Sequence, residues 1–437
     1  MIIRINWKKI VLFLFFISIL FPPGFGIRID PSYPGIDMQR LSILFIFLIF
    51  PIYLLKKDSF NNKLLINTRT ELLLLSIILI NVISIITVES FFGSLLWSVG
   101  NTFLYFGYAF IIIFILTNEK IELMEFTKII SSISIILILW SVLETILQTN
   151  LITYRNMYRQ EIVELYSNLK RLWIMPIGPY VYVKALAMAL ILFGPISYIY
   201  KKKTNSKYPL IWFLLFLISI ISVQTLSAIL GILVMFVLLT LYYSKIAAFF
   251  SFCGILGALF LLYLFLPTSF IEEINTSPNS AVCCNAVDYY FHYYLFDHPI
   301  GSVSARLSQL YLLFTNWFES GRLLFGWGSG SMADPLRVPT SVFDYDKYKV
   351  TDIYPGSFFV WFLETGLFVG TFIFFIFARA IIKGLKSHND ILIFMSISLT
   401  GYFVMMLSTI NTKIFGPALV IAGLIDYFSK KRDFKLE

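Results

Sequence analysis

Residues 208–244 read YPLIWFLLFLISIISVQTLSAILGILVMFVLLTLYYS, an apolar run with no Asp, Glu, Lys, Arg or His. A membrane helix needs about 20 mostly apolar residues. This run is too long for one such helix, so it is predicted to fold back on itself. The polar cluster Ser222-Val-Gln-Thr-Leu-Ser227 supplies the turn. Runs of the same kind recur along the whole chain. The predicted spans are 10–23, 41–55, 71–88, 95–117, 128–148, 177–200, 209–223, 226–243, 246–266, 355–378, 391–409 and 414–428. The fold class is therefore an all-α polytopic integral membrane protein of about twelve helices. Pro22-Pro-Gly24 keeps the helices of the first hairpin short, which leaves eleven or thirteen open.

The composition agrees. The chain has 437 residues, 58% hydrophobic, 18% aromatic and 14% charged, with mean hydropathy +0.82. Soluble domains carry about 25% charged residues. A soluble domain, a disordered chain and a disulfide-knotted secreted domain are all excluded. The net charge of +9 is read by position, because polytopic proteins concentrate Lys and Arg in cytoplasmic loops. No nucleic-acid partner is expected. Arg4, Lys8 and Lys9 precede the first apolar run. No clean small-residue cleavage site follows it, so it is read as an uncleaved helix.

With the N-terminus in the cytoplasm, most of the 34 Lys and Arg residues fall in cytoplasmic segments, with Lys201-Lys-Lys203 and Lys430-Lys-Arg432 as anchors. Both termini are predicted to be cytoplasmic. Three regions follow. Residues 1–266 carry nine helices and a smaller external loop at about 149–176. Residues 267–354 form one large external loop. Residues 355–437 carry three helices and a cytoplasmic tail. A connection as long as 267–354 exceeds any simple turn, and function is expected there.

The large loop is rich in aromatics and is predicted to fold or dock on the membrane. Leu307, Leu310, Tyr311, Phe314, Trp317 and Phe318 follow helical spacing, which predicts an amphipathic helix over 302–320. Arg306 falls in its first turn, where the helix dipole disfavours a cation; an external anion explains it better. Gly326, Gly328 and Gly330 then free the backbone for tight turns or for close approach to a ligand. Acids outnumber bases in the loop, so any anion must be held locally by single arginines such as Arg322 and Arg337.

In the smaller loop Arg171 leads into Pro176-Ile-Gly-Pro179, and Lys184 is placed about two turns inside the next span. Ionisable groups at that depth are costly and point to function. Glu144 and Glu364 are expected near outer helix ends, Glu364 within reach of an arginine. Cys283 and Cys284 adjoin, with His292 and His298 nearby, but no Cys-x-x-Cys or His-Glu-x-x-His pattern is present. No metal and no cofactor are expected.

The order of these features resembles the O-antigen polymerase (Wzy) family, within the group of O-antigen polymerases and ligases. Three places carry the likeness: Arg171 with Pro176-Ile-Gly-Pro179; Thr225-Leu-Ser-Ala-Ile-Leu-Gly231; and Ser304-Ala-Arg306, then Leu324-Phe-Gly-Trp-Gly-Ser-Gly330, then Glu364-Thr-Gly-Leu-Phe-Val-Gly370. Ala228 departs from the family, which commonly has arginine there. The histidine that ligases often carry before the aromatic span is also missing, with Asp352-Ile-Tyr354 in its place.

The resemblance implies a membrane glycosyltransferase of the GT-C type in the bacterial inner membrane, building lipopolysaccharide. It implies transfer, on the periplasmic face, of a growing chain from undecaprenyl pyrophosphate onto the next lipid-linked repeat unit. Its partners would be the undecaprenyl-pyrophosphate-linked oligosaccharide, membrane lipid and a chain-length regulator. Arg306 and Arg171 are the expected pyrophosphate clamps, because guanidinium binds phosphate bidentately without a metal. Asp352 and Glu364 are the candidate proton acceptors, with Asp344 beside them. Arg322, Arg337, Lys184, Gly326, Gly328 and Trp327 are expected to bind substrate, Trp327 by stacking on sugar. An O-antigen ligase, a polymerase for another polysaccharide, and a flippase of lipid-linked oligosaccharide remain as alternatives.

Overall fold

The computed structural model describes residues 6–20, 38–58, 65–86, 102–148, 176, 178, 183–205, 208–223, 225–244, 314, 317–319, 321, 323–326, 357–408 and 414–433. These residues form helices and turns, with no strand among them. In chain order the helices are α1 (Trp7–Leu20), α2 (Met38–Asp58), α3 (Arg69–Ile86), α4 (Tyr108–Asn118), α5 (Leu123–Leu147), α6 (Val183–Lys203), α7 (Pro209–Ser222), α8 (Leu226–Tyr243), α9 (Ser357–Leu385), α10 (Asp390–Ser408) and α11 (Phe415–Asp433). A π-helical turn, Thr102–Gly107, leads into α4. The run 208–244 does fold back, with α7 ending at Ser222 and α8 starting at Leu226. The expected span 246–266 lies outside the described residues.

The chain is an all-helical, membrane-embedded, multi-pass protein. Four helical stretches among the described residues are long and apolar enough to cross a membrane: Leu123–Leu147, Lys184–Lys203, Trp361–Leu385 and Asp390–Leu407. Leu41–Lys56, Phe103–Asn118, Pro209–Ser222 and Ser227–Tyr243 are shorter apolar helices. Such segments take helical form because hydrocarbon offers the backbone no water to bond.

α6 is the axis of the bundle. Every residue from Ala185 to Phe193 is fully buried, and α6 packs on α5, α7, α8 and α10. A helix apolar all round is a buried one. Between apolar helices in lipid, association rests on close packing rather than on escape from water, and small residues permit it. A Cβ at Gly194 would run into the Phe216 ring of α7, and one at Gly423 of α11 would run into Ile113 of α4. On the other side of the bundle α9 packs against α10 and α11.

Polar contacts gather at one end of the bundle. Lys8 of α1 meets Glu125 of α5 at 2.7 Å. Tyr53 of α2 donates to Glu119 after α4 at 3.2 Å. Asn118 donates to the Leu65 carbonyl before α3 at 3.1 Å. Lys203 of α6 meets Asp390 of α10 at 2.7 Å. These contacts bring the start of α1, the end of α2, the start of α3, the end of α4, the start of α5 and the end of α6 to one end of the bundle. Thr68 and Glu71 cap α3 reciprocally. The Glu71 N–H donates to Thr68 Oγ1 at 3.0 Å, and Glu71 Oε2 accepts the Thr68 N–H at 3.0 Å. Thr117 Oγ1 donates to the other Glu71 oxygen at 2.7 Å.

At the same end Asp426 of α11 is fully buried. Its Oδ1 accepts from Lys383 Nζ at 2.7 Å and from Arg379 Nε at 3.2 Å, both on α9. Its Oδ2 accepts from the N–H and hydroxyl of Thr70 on α3 at 3.4 Å. One carboxylate thus joins α3, α9 and α11. Removing it leaves Arg379 and Lys383, each about a quarter exposed, without their carboxylate. Asp426→Ala is expected to cost about 1–3 kcal/mol. Removing the half-exposed Lys203–Asp390 pair should cost under about 1 kcal/mol. SDS-induced unfolding of the two purified variants checks the difference.

Candidate functional site

At the opposite end α9 is interrupted. Gly366 has φ 81° and ψ −178°, a conformation outside the helix, between two helical halves. Such a break leaves backbone groups unbonded inside the bundle. Here the Leu367 N–H donates to the Leu323 carbonyl at 2.9 Å. The segment 323–326 therefore completes the broken helix.

Two glycines make this contact possible. Gly326 has φ +69°, and a Cβ there would collide with the Glu364 carbonyl and lie 2.6 Å from the Gly366 nitrogen. A Cβ at Gly366 would collide in turn with the Leu324 carbonyl and lie 2.6 Å from the Gly326 nitrogen. The two backbones touch face to face, and neither tolerates a side chain. Aromatic rings extend the seat. Trp317 is 2% exposed and packs edge-on to Phe362 of α9 with centroids 5.5 Å apart. Phe314 packs against Phe359 and Phe362, and Phe325 against Phe368. Phe314 and Trp317 belong to the expected amphipathic stripe and pack on α9, whereas Phe318 of the same stripe is 62% exposed. Trp361, one turn before the break, stacks on Phe415 of α11 at 5.5 Å and 20°.

Gly178, before α6, is tied down in a parallel way. Glu144, in the last turn of α5, is fully buried. Its Oε2 accepts the Gly178 N–H at 2.9 Å and its Oε1 accepts the Trp140 indole N–H at 3.1 Å. Gly178 has φ +57° and is seated against Leu186 of α6. Glu144, expected only as an ionisable group near an outer helix end, here holds the Gly178 backbone.

The expected site residues are distributed as follows. Gly326 and Glu364 come together at the break in α9. Glu364 is 4% exposed, within the broken helix rather than near an end of it. Lys184 is near the start of α6, which runs Val183–Lys203; residues 179–182 before it lie outside the described residues. Ala228, where the resembled family has arginine, is fully buried in the first turn of α8, so that position carries packing and no anion contact. Arg171, Arg306, Arg322, Trp327, Gly328, Arg337, Asp344 and Asp352 lie outside the described residues. So do the adjacent cysteines Cys283 and Cys284, and His292 and His298.

Sequence reasoning missed the break itself, the Trp140–Glu144 bond and the Glu71 cap. The first had a signal: glycine within an apolar span marks a close backbone approach or a kink. Set beside models of known protein families the chain matches none, and no curated protein matches it.

Two expectations follow from the geometry. Gly321 also has positive φ, +68°, but open space surrounds it. Gly321→Ala should cost about 1–2 kcal/mol for the left-handed backbone alone, and Gly326→Ala clearly more, because the backbones must separate as well. Protease accessibility and unfolding midpoints of the two variants should differ in that order. Glu144→Ala leaves the Gly178 and Trp140 donors without their acceptor, at about 1–3 kcal/mol per buried donor. Glu144→Gln keeps one acceptor oxygen and should fall between Glu144→Ala and wild type in the same unfolding assay.

Proposed function

We propose that the chain is an O-antigen polymerase, joining undecaprenyl-pyrophosphate-linked oligosaccharide repeat units on the periplasmic face of the bacterial inner membrane, with both termini in the cytoplasm. One observation carries this reading most. The Phe-Gly-x-Gly stretch and the Glu-x-Gly stretch, which bear the resemblance from distant parts of the sequence, are back to back at Gly326 and Gly366. The short segment that joins them leads directly to Arg322 on one side and Trp327 on the other.

In the proposed reaction a hydroxyl of the acceptor repeat unit attacks the anomeric carbon of the chain attached to undecaprenyl pyrophosphate. The new glycosidic C–O bond forms, the bond to pyrophosphate breaks, and the leaving group departs with its electron pair. Arg306 and Arg171 hold the pyrophosphate and stabilise its growing charge, the role for which a fixed guanidinium is suited. Arg322, Arg337 and Lys184 assist on the same anion, and Trp327 stacks on sugar. The proton goes to a carboxylate. Glu364 is buried at the break. Asp352 on the loop is therefore the base we propose. A chain-length regulator would act as partner.

Complementation tests this. Lipopolysaccharide from a deletion strain is expected to carry core plus a single repeat unit, and rescue by wild type is expected to restore the ladder. Arg306→Ala and Arg171→Ala, at normal membrane expression, should leave the single-unit band. Bare core with accumulated lipid-linked polymer would identify a ligase instead, and bare core without polymer a flippase. An unchanged ladder would end the O-antigen reading.

A further inference from the structure

An apolar groove of about 460 Å³ opens between α1 and α2 on the outside of the bundle, lined by Lys9, Ile10, Phe13, Leu14, Phe45 and Ile49. We propose that this groove binds an anionic phospholipid, with an acyl chain along Phe13 and Phe45 and the phosphate on the Lys9 ammonium.

The depth of each part is fixed by the hairpin. Trp7 of α1 packs edge-on to Tyr53 of α2 at 5.7 Å, and Lys56 Nζ lies over the Trp7 ring at 5.9 Å. A tryptophan beside a lysine marks the level of lipid headgroups. Lys9 stands two residues further along α1, roughly 3 Å at a helical rise of 1.5 Å per residue. Phe45 stands eight residues before Tyr53 on the antiparallel helix, roughly 12 Å deeper. The groove thus starts at headgroup level with a cation and runs into the hydrocarbon between aromatic and aliphatic walls. Phe13 is 60% and Phe45 48% exposed, so no protein covers them among the described residues.

The charge has one natural recipient. Lys8 and Lys9 adjoin, yet only Lys8 is committed, to Glu125 at 2.7 Å. Lys9 is exposed, and among the described residues its ammonium meets no carboxylate. Its backbone N–H is held by Asn6 Oδ1 at 3.1 Å, which fixes the start of α1 and so the place where Lys9 emerges. A lysine at the headgroup level attracts anionic lipid, and the apolar cleft beneath it adds an acyl contact that a bare surface lysine lacks.

The test uses the full-length protein in nanodiscs of phosphatidylglycerol and phosphatidylcholine with matched acyl chains. Native mass spectrometry counts the phosphatidylglycerol retained after mild delipidation. Lys9→Gln is expected to lower phosphatidylglycerol retention about fivefold, as loss of one near-surface cation implies, with phosphatidylcholine retention unchanged. The double variant Lys8→Gln with Glu125→Gln should retain phosphatidylglycerol like wild type. Ile10→Trp, which fills the groove and keeps Lys9, should lose the lipid as Lys9→Gln does. Equal losses from the Lys8/Glu125 variant and from Lys9→Gln would mean general surface attraction and would overturn the site. So would full retention by Lys9→Gln or by Ile10→Trp. Unfolding midpoints of all variants, measured in detergent, separate lipid loss from misfolding.

Discussion

A backbone N–H inside a membrane bundle has no water to fall back on, and α9 is broken at Gly366 within such a bundle. The freed Leu367 N–H is taken up by the Leu323 carbonyl. That single hydrogen bond requires the external chain to come within backbone contact of a membrane helix. The contact then requires glycine on both sides, because either Cβ would strike the opposite main chain. The aromatic seat around it, with Trp317 on Phe362 and Phe325 on Phe368, follows from the same approach. The position of segment 323–326 is thus a consequence of satisfying one helix.

The other end of the bundle answers a different constraint. A carboxylate without solvent must be matched by charge and hydrogen bonds or it opposes folding. Asp426 is matched by Lys383, Arg379 and Thr70, and Glu71 by its cap and by Thr117. These bonds fasten α3, α4, α9 and α11 together at one end, while the glycine contact and the Glu144–Gly178 bond hold the loop exits at the other. The outer surface of α1 and α2 belongs to neither end. There Phe13, Phe45 and Lys9 are exposed among the described residues.

Much of this was legible in sequence. The apolar runs predicted the helices because lipid imposes a length and a composition that few other environments impose. The run 208–244 turned where its polar cluster fell, since a turn must expose its backbone to polar partners. The Gly326 and Glu364 motifs were legible as points of interest. Their mutual contact was not, because sequence spacing carries no distance between residues so far apart. Ala228 was legible as a missing arginine, and its burial explains why alanine suits the place.

Sequence alone determined the all-helical membrane class and the fold-back of the run 208–244. Hydropathy and charge act locally, and each residue contributes to them wherever it packs. Tertiary structure decided which carboxylates are buried and what they hold: Asp426 three helices, Glu144 a turn. It also decided that Gly326 and Gly366 of α9 share one contact. Those outcomes depend on backbones brought within a hydrogen-bond length by the packing of several helices at once, and no local pattern encodes that distance.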